Sequence, residues 1–328
     1  MLFGIIMGSI AAVLQSTSYI FSRLFISRHK SSLYLTIYSQ LAMGIMGLVM
    51  FAVCCKLTTY PLTWKYALLC LAWITTYITA QFSFFMALTH VEASRLSSLL
   101  GTKIITLAAI SLFLGNKLNM IQWIAVVLCC ISAVGMNFTG GKLSFKSCLW
   151  IGSAVLSYSL CDLSCTAMIH EMPGTNITLN SFCVVAISYA ALGVLTLPAL
   201  FFVPVERKLF LAATPFGAAW FISMNFLLTG FGTLGVVYGT IIQSGRGIVS
   251  VVLGVLLIHL GFDHLEPRVN KKAWFRRAVM AALMLAAMTL YAKGSAANRK
   301  VSQPNSQEQS VKNACTQLPK TSTGGKIQ

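Results

Sequence analysis

Apolar positions run through this chain in long unbroken stretches, without the period of two or 3.6 that marks half-buried strands and helices. Ten stretches stand out, at about residues 2–22, 33–55, 66–88, 94–115, 120–138, 147–169, 179–203, 209–229, 235–260 and 273–292. Crossing a hydrocarbon core of roughly 30 Å as an α-helix takes about 20 apolar residues, and these stretches are of that length. A lipid-exposed backbone must satisfy its own hydrogen bonds, and the runs are too long and too uniformly apolar for the alternating strands of a barrel. The predicted fold class is all-α: a polytopic membrane protein of ten transmembrane helices lying in the lipid bilayer. The first stretch lacks a charged leader and a following cleavage site, so it is expected to be a retained span.

The spacing of the spans adds a second level of order. Span 1 opens near residue 2 and span 6 near residue 147, an offset of 145. Two five-span halves follow, 1–140 and 146–292. An odd number of spans per half turns the second upside down relative to the first, the inverted-repeat plan of secondary transporters. After residue 292 the composition changes to Ser, Gln, Asn, Lys and Thr, so 293–328 is expected to be a disordered basic tail.

Composition agrees with this pattern. The chain is 57% hydrophobic and 9% charged, whereas about a quarter of the residues in a soluble protein are charged. The net charge of +17 does not imply a nucleic-acid partner, because the basic residues are spread over loops and tail with no stripe of interleaved aromatics. Odd-numbered loops together with the span ends that flank them hold thirteen Lys and Arg, and even-numbered loops hold three, Lys56, Lys65 and Lys117. The positive-inside rule then puts the odd loops in the cytoplasm and both termini outside. Nine of the ten cysteines lie in or beside apolar spans, with Cys315 in the tail and no C-x-x-C spacing. They read as small apolar fillers, and no metal is expected.

Four charged residues sit inside or at the shoulder of spans: Glu92, Lys103, Asp162 and Arg246. A charge at the bilayer centre costs about 2.5–3.5 kcal/mol even on the lenient insertion scale, so each is expected to face a cavity or a partner. Lys103 and Arg246 both fall near mid-membrane and are 143 positions apart, which makes them quasi-equivalent in the two halves. Converging on one cavity they would form an anion site, the guanidinium offering a planar fork and the ammonium a point charge. Two alternatives stand beside this: Arg246 pairs with Asp162 and leaves Lys103 to a backbone carbonyl or Gln81, or Asp162 carries a coupling proton. Gln15, Gln40, Gln81, Asn225 and Gln243 also lie within spans, where they either orient a substrate or hold helices together. Glu92 and Arg95 read as an interfacial pair, and His259, Asp263, His264 and Glu266 as a solvated helix end rather than a metal site.

The phosphate loop G-x-x-x-x-G-K-[ST], G-x-S-x-G and H-E-x-x-H are all absent, so neither ATP-driven transport nor a hydrolase is expected. No catalytic residue and no cofactor are assigned. The reading is a secondary carrier for a small-molecule substrate; a membrane-embedded enzyme or a non-transporting receptor or assembly subunit is the alternative.

Three stretches carry a resemblance: MALTHVEASRLSSLL at 86–100 running on to LFLGNKL at 112–118, AAVLQSTSYIFSR at 11–23, and GVVYGTIIQSGRGIVSVVLG at 235–254. They resemble the span 3–4 signature, the first span and the second copy of the span 4 pattern of EamA-like members of the drug/metabolite transporter superfamily. The resemblance implies ten helices, transport of a small metabolite such as an organic anion or amino-acid-like solute, and a bacterial inner membrane; the family usually keeps both termini cytoplasmic. The chain departs from the family pattern at Gln15, Lys103, Asn116 and Arg246, positions that the resemblance places around the central cavity.

Overall fold

A computed structural model of the chain describes residues 1–61, 63–88, 99–113, 115, 118–136, 144–246, 248–249, 252–253, 256 and 271–302. These residues form helices α1 (Leu2–His29), α2 (Ser32–Leu57), α3 (Trp64–Leu88), α4 (Lys103–Phe113), α5 (Met120–Met136), α6 (Phe145–Glu171), α7 (Ile177–Thr196), α8 (Arg207–Leu234), α9 (Val236–Ser244) and α10 (Lys271–Ser302), and no strand is among them. Seven of the helices are long and apolar enough to cross a membrane, and α4 and α5 are shorter apolar helices. Side chains such as Leu48, Val49, Val53, Ile78, Val127 and Ile131 stand exposed on the outer faces. Apolar surface of this extent is compatible with lipid and not with water.

The helix starts are written into the sequence. Ser31, Ser144 and Asn176 accept hydrogen bonds from the first-turn amides of α2, α6 and α7, and Asn119 and Gln122 form a reciprocal cap at the start of α5, with bonds of 2.8 and 2.9 Å. One residue separates α8 from α9. Gly235 ends the first and opens the second at φ 84°, where a side chain would be strained.

Close packing joins helices of opposite direction. A methyl group on Gly44 of α2 would come within 2.5 Å of the Gly193 Cα of α7, and one on Gly47 within 2.7 Å of the Ala190 nitrogen. Positions rise on α2 as they fall on α7, so these two helices are antiparallel. The same holds for α3 and α6, where Lys65 pairs with Glu171 and Ser83 with Ser153, and for α1 and α8, where Gly4 lies against Leu234 and Gly8 against Gly230. The largest interfaces are α1/α8, α3/α6, α2/α7 and α5/α10. Advancing each helix number by five converts α1/α8 into α6/α3, and α1/α9 into α6/α4. It returns α2/α7, α5/α10 and α4/α9 to themselves. The largest interfaces thus follow an internal two-fold relation between the first and second halves, which α2/α8 and α7/α8 do not share.

A second division cuts across the first. One apolar core is built from α1, α2, α3, α6, α7 and α8 around Trp73, Tyr189 and Phe231, and another from α4, α5, α9 and α10 around Leu107, Ile241 and Met284. Each sub-bundle takes equivalent helices from both halves.

The boundary of the polar tail needs correction. The helix does not stop at 292: α10 continues to Ser302, and its last turns are held by α5, Asn119 Nδ2 donating to the Gly294 carbonyl at 2.9 Å and Gln122 Nε2 to Ser295 Oγ at 3.1 Å. Composition alone missed this because residues 293–302 have little to bury; their order comes from hydrogen bonds to the α5 cap and from helix-favouring Ala and Arg/Lys. Residues 303–328 lie outside the described residues.

The α2/α7 contact and an open position elsewhere give a paired test. Gly44→Ala should destabilise the folded chain by about 1–3 kcal/mol, as overpacking does. Gly152→Ala on α6, where a methyl group meets nothing within 4 Å, should stay within about 0.5 kcal/mol of wild type. Unfolding in detergent followed by tryptophan fluorescence reads both, and equal effects would contradict the close helix approach.

Candidate functional site in the seam between the sub-bundles

Buried polar side chains lie in the seam where the two sub-bundles meet. Lys103 is the first residue of α4, directly after a 3₁₀ turn at Leu100–Thr102. Its Nζ donates to Asp162 Oδ2 of α6 at 2.6 Å, with only 15% and 11% of the two side chains exposed. The same ammonium reaches Gln243 Oε1 of α9 at 3.4 Å, Gln243 Nε2 donates to Gln15 Oε1 of α1 at 3.1 Å, and Gln15 Nε2 lies 3.9 Å from the Met224 sulfur of α8. A chain of polar contacts therefore crosses from α6 through α4, α9 and α1 to α8. Burying an ion pair is tolerated when its remaining hydrogen-bonding capacity is met, and Gln243 meets part of it.

Arg246 lies one turn beyond Gln243, after a local break at Gly245, whose N–H bonds to the Ile242 carbonyl. It faces α1. Its Nη1 is 3.4 Å from the Tyr19 hydroxyl, its Cζ is 5.8 Å from the Tyr19 ring centre, and its carbonyl accepts from Ser16 Oγ at 3.1 Å. Behind Tyr19 stands an aromatic wall: Trp220 meets it edge-on at 6.0 Å, Phe216 stacks on Trp220 at 6.1 Å, and Trp220 Nε1 donates to the Tyr189 hydroxyl at 3.1 Å. Tyr158 of α6 is in electrostatic reach of Tyr19, Tyr77 and Arg246. A cleft of about 380 Å³ opens between α4 and α6, lined by Thr102, Thr106, Cys148, Gly152 and Val155 among others, with Thr102 adjacent to Lys103 in the chain.

The structure revises the pairings drawn from sequence. Asp162 does not meet Arg246; the carboxylate is taken by Lys103, because α4 packs on α6 while the end of α9 is turned to α1. Gln81 is not beside Lys103. It donates to the Tyr77 hydroxyl at 3.1 Å, and Gln40 donates to that same hydroxyl at 2.6 Å. Asn225 donates to the Phe221 carbonyl at 2.9 Å and its Oδ1 is buried without a partner. Lys103, Asp162, Gln243 and Gln15 are thus joined in one network, Arg246 sits beside it, and Gln81 and Asn225 are held elsewhere. Glu92, Arg95, His259, Asp263, His264 and Glu266 lie outside the described residues.

Sequence reasoning missed Tyr19, although a signal for it was present. Tyr19 and Asp162 are 143 positions apart, the same offset that relates Lys103 to Arg246. Lys103–Asp162 and Arg246–Tyr19 are therefore two copies of one contact, a cation at the broken start or end of α4 or α9 meeting the facing residue of α6 or α1.

Apolar helices packed in antiparallel pairs around a buried polar seam define a multi-pass helical membrane protein. Residues 2–138 match the model of the EamA-like transporter family, which is part of the drug/metabolite transporter superfamily. A solved structure described only as "Crystal structure of protein" aligns with 88% of this chain and 95% of its own at a TM-score of 0.62 and 15% identity, a likeness of fold alone. No curated protein sequence matches the chain.

The Lys103–Asp162 contact makes a thermodynamic prediction. Asp162→Asn or Lys103→Gln alone should each lower stability in detergent by about 3–5 kcal/mol, since each strands a buried charge, and the double change should recover much of the loss. Additive losses in the double-mutant cycle would show that the two side chains do not act as a pair.

Proposed function

We propose that the chain is a secondary carrier that moves a small solute by alternating access, with the polar seam as its substrate site. The EamA-like family is one of membrane transporters for small solutes, and the observation that carries the finer reading is the buried network of Lys103, Asp162, Gln243 and Gln15, drawn from both halves of the chain. A site made jointly by two inverted halves is what a rocking mechanism requires, because exchanging the conformations of the halves exposes the same groups to the other side. The division into four- and six-helix cores supplies the bodies that move. Each has its own apolar core, and at the seam polar contacts that can be remade stand beside apolar ones such as Ile242 on Gly8. Ten spans, a bacterial inner membrane and an ion or exchanged solute as the energy source complete the reading.

Reconstitution tests it. Proteoliposomes containing the full chain should show saturable uptake of at least one member of a panel of radiolabelled carboxylates, amino acids and amines. Lys103→Ala should reduce that uptake to background while the protein remains in the bilayer. Uptake that matches protein-free vesicles across the panel would count against a carrier.

A further inference from the structure

We propose that Arg246 is the receptor for the one negative charge of a small aromatic monocarboxylate, and that the Lys103–Asp162 pair is an internal copy of the contact this substrate makes. The proposal rests on the carrier reading above and names its substrate class.

The argument begins with the two copies of the cation contact. In the first, Lys103 meets a carboxylate at 2.6 Å, and the copy is electrically complete. In the second, the residue equivalent to Asp162 is Tyr19, a neutral phenol, and Arg246 meets its hydroxyl at 3.4 Å and its ring face at 5.8 Å. Three acidic residues are described, Asp162, Glu171 and Glu206; the first two are paired with Lys103 and Lys65, and Arg246 meets none of the three. Among the described residues the seam therefore holds one positive charge in excess. A guanidinium left without an anion inside an apolar bundle is costly, and a ligand that brings the missing carboxylate removes that cost.

Chemistry at the position narrows the ligand. Guanidinium presents parallel N–H donors that match a carboxylate bidentately, a recognition an ammonium does not reproduce. Only one of the two central cations is free to take part, which favours a monoanion over a dicarboxylate or phosphate dianion. The wall next to Arg246 is aromatic: Tyr19, Trp220 and Phe216 form a run of edge-on and stacked rings that remain partly exposed, a surface suited to a planar apolar body. Gln15 and Gln243, each one turn from Tyr19 and Arg246 on their own helices, already bond to one another, so they frame the position and leave the charge recognition to Arg246.

Binding to the full-length protein in detergent decides the matter, read by tryptophan fluorescence and by the unfolding midpoint, with benzoate, its neutral isostere benzamide, the cation benzylamine and the dianion phthalate as probes. Benzoate should bind saturably and raise the midpoint, and the other three should bind at least roughly tenfold more weakly. Arg246→Gln should weaken benzoate by a similar factor, and so should Tyr19→Asp, which gives Arg246 an internal carboxylate like that of Lys103. Tyr19→Phe should retain binding. Asp162→Asn, by freeing Lys103, should raise the affinity for phthalate several-fold, and this gain is a readout that loss of folding cannot mimic. Equal binding of benzoate and benzamide, no saturable benzoate binding, or benzoate binding indifferent to Tyr19→Asp would each overturn the proposal. Saturable proteoliposome uptake of a solute unaffected by Arg246→Gln would overturn it with the carrier reading intact, whereas absence of uptake for every solute would remove the carrier reading itself.

Discussion

Everything at the centre of this protein depends on how charge is held within an apolar bundle. A chain whose surface is matched to lipid cannot hydrate a mid-membrane lysine or arginine, so each such side chain must find its partner among neighbouring helices or in a ligand. Lys103 finds Asp162, and Arg246 finds the phenol and ring of Tyr19. The positions of α1, α4, α6 and α9 around one another are the means by which these four side chains come into contact.

Those helix positions follow from the internal two-fold relation. Antiparallel pairs are brought close by glycines, most tightly where Gly44 meets Gly193, because without a hydrophobic driving force in lipid the contact relies on close van der Waals approach. The repeat also explains why both cations sit beside irregular backbone: a 3₁₀ turn precedes Lys103 and a turn at Gly245 precedes Arg246. Local departures from the α-helix are tolerated at membrane depth where they are buried in protein or line a cavity. What the two halves do not share is the residue facing the cation. That difference between a carboxylate and a phenol leaves, among the described residues, a net charge on one side of the framework.

The all-α membrane fold and the need of Lys103 and Arg246 for a partner or cavity were legible from the chain, because run length and the cost of buried charge are properties that sequence states directly. The partners were not. Each residue turns a helix by about 100°, so whether Asp162 faces Lys103 or Arg246 depends on rotations that apolar runs leave open. Tyr19 was hidden because an aromatic in a span looks like ordinary filler until its repeat mate is known to be Asp162. Nothing in the four-residue spacing of Gly4 and Gly8 names α8 as their neighbour, and the extension of α10 past residue 292 was concealed because its support comes from Asn119 and Gln122, far away in the chain.

If the two cation contacts are repeat copies, their partners should be interchangeable. The direct measurement is benzoate affinity in a chain carrying Tyr19→Asp together with Asp162→Tyr, which pairs Arg246 internally and leaves Lys103 with a phenol. In that background benzoate binding should persist and depend on Lys103, being lost with Lys103→Gln and retained with Arg246→Gln. Binding that continues to require Arg246 after the exchange would contradict the equivalence of the two copies.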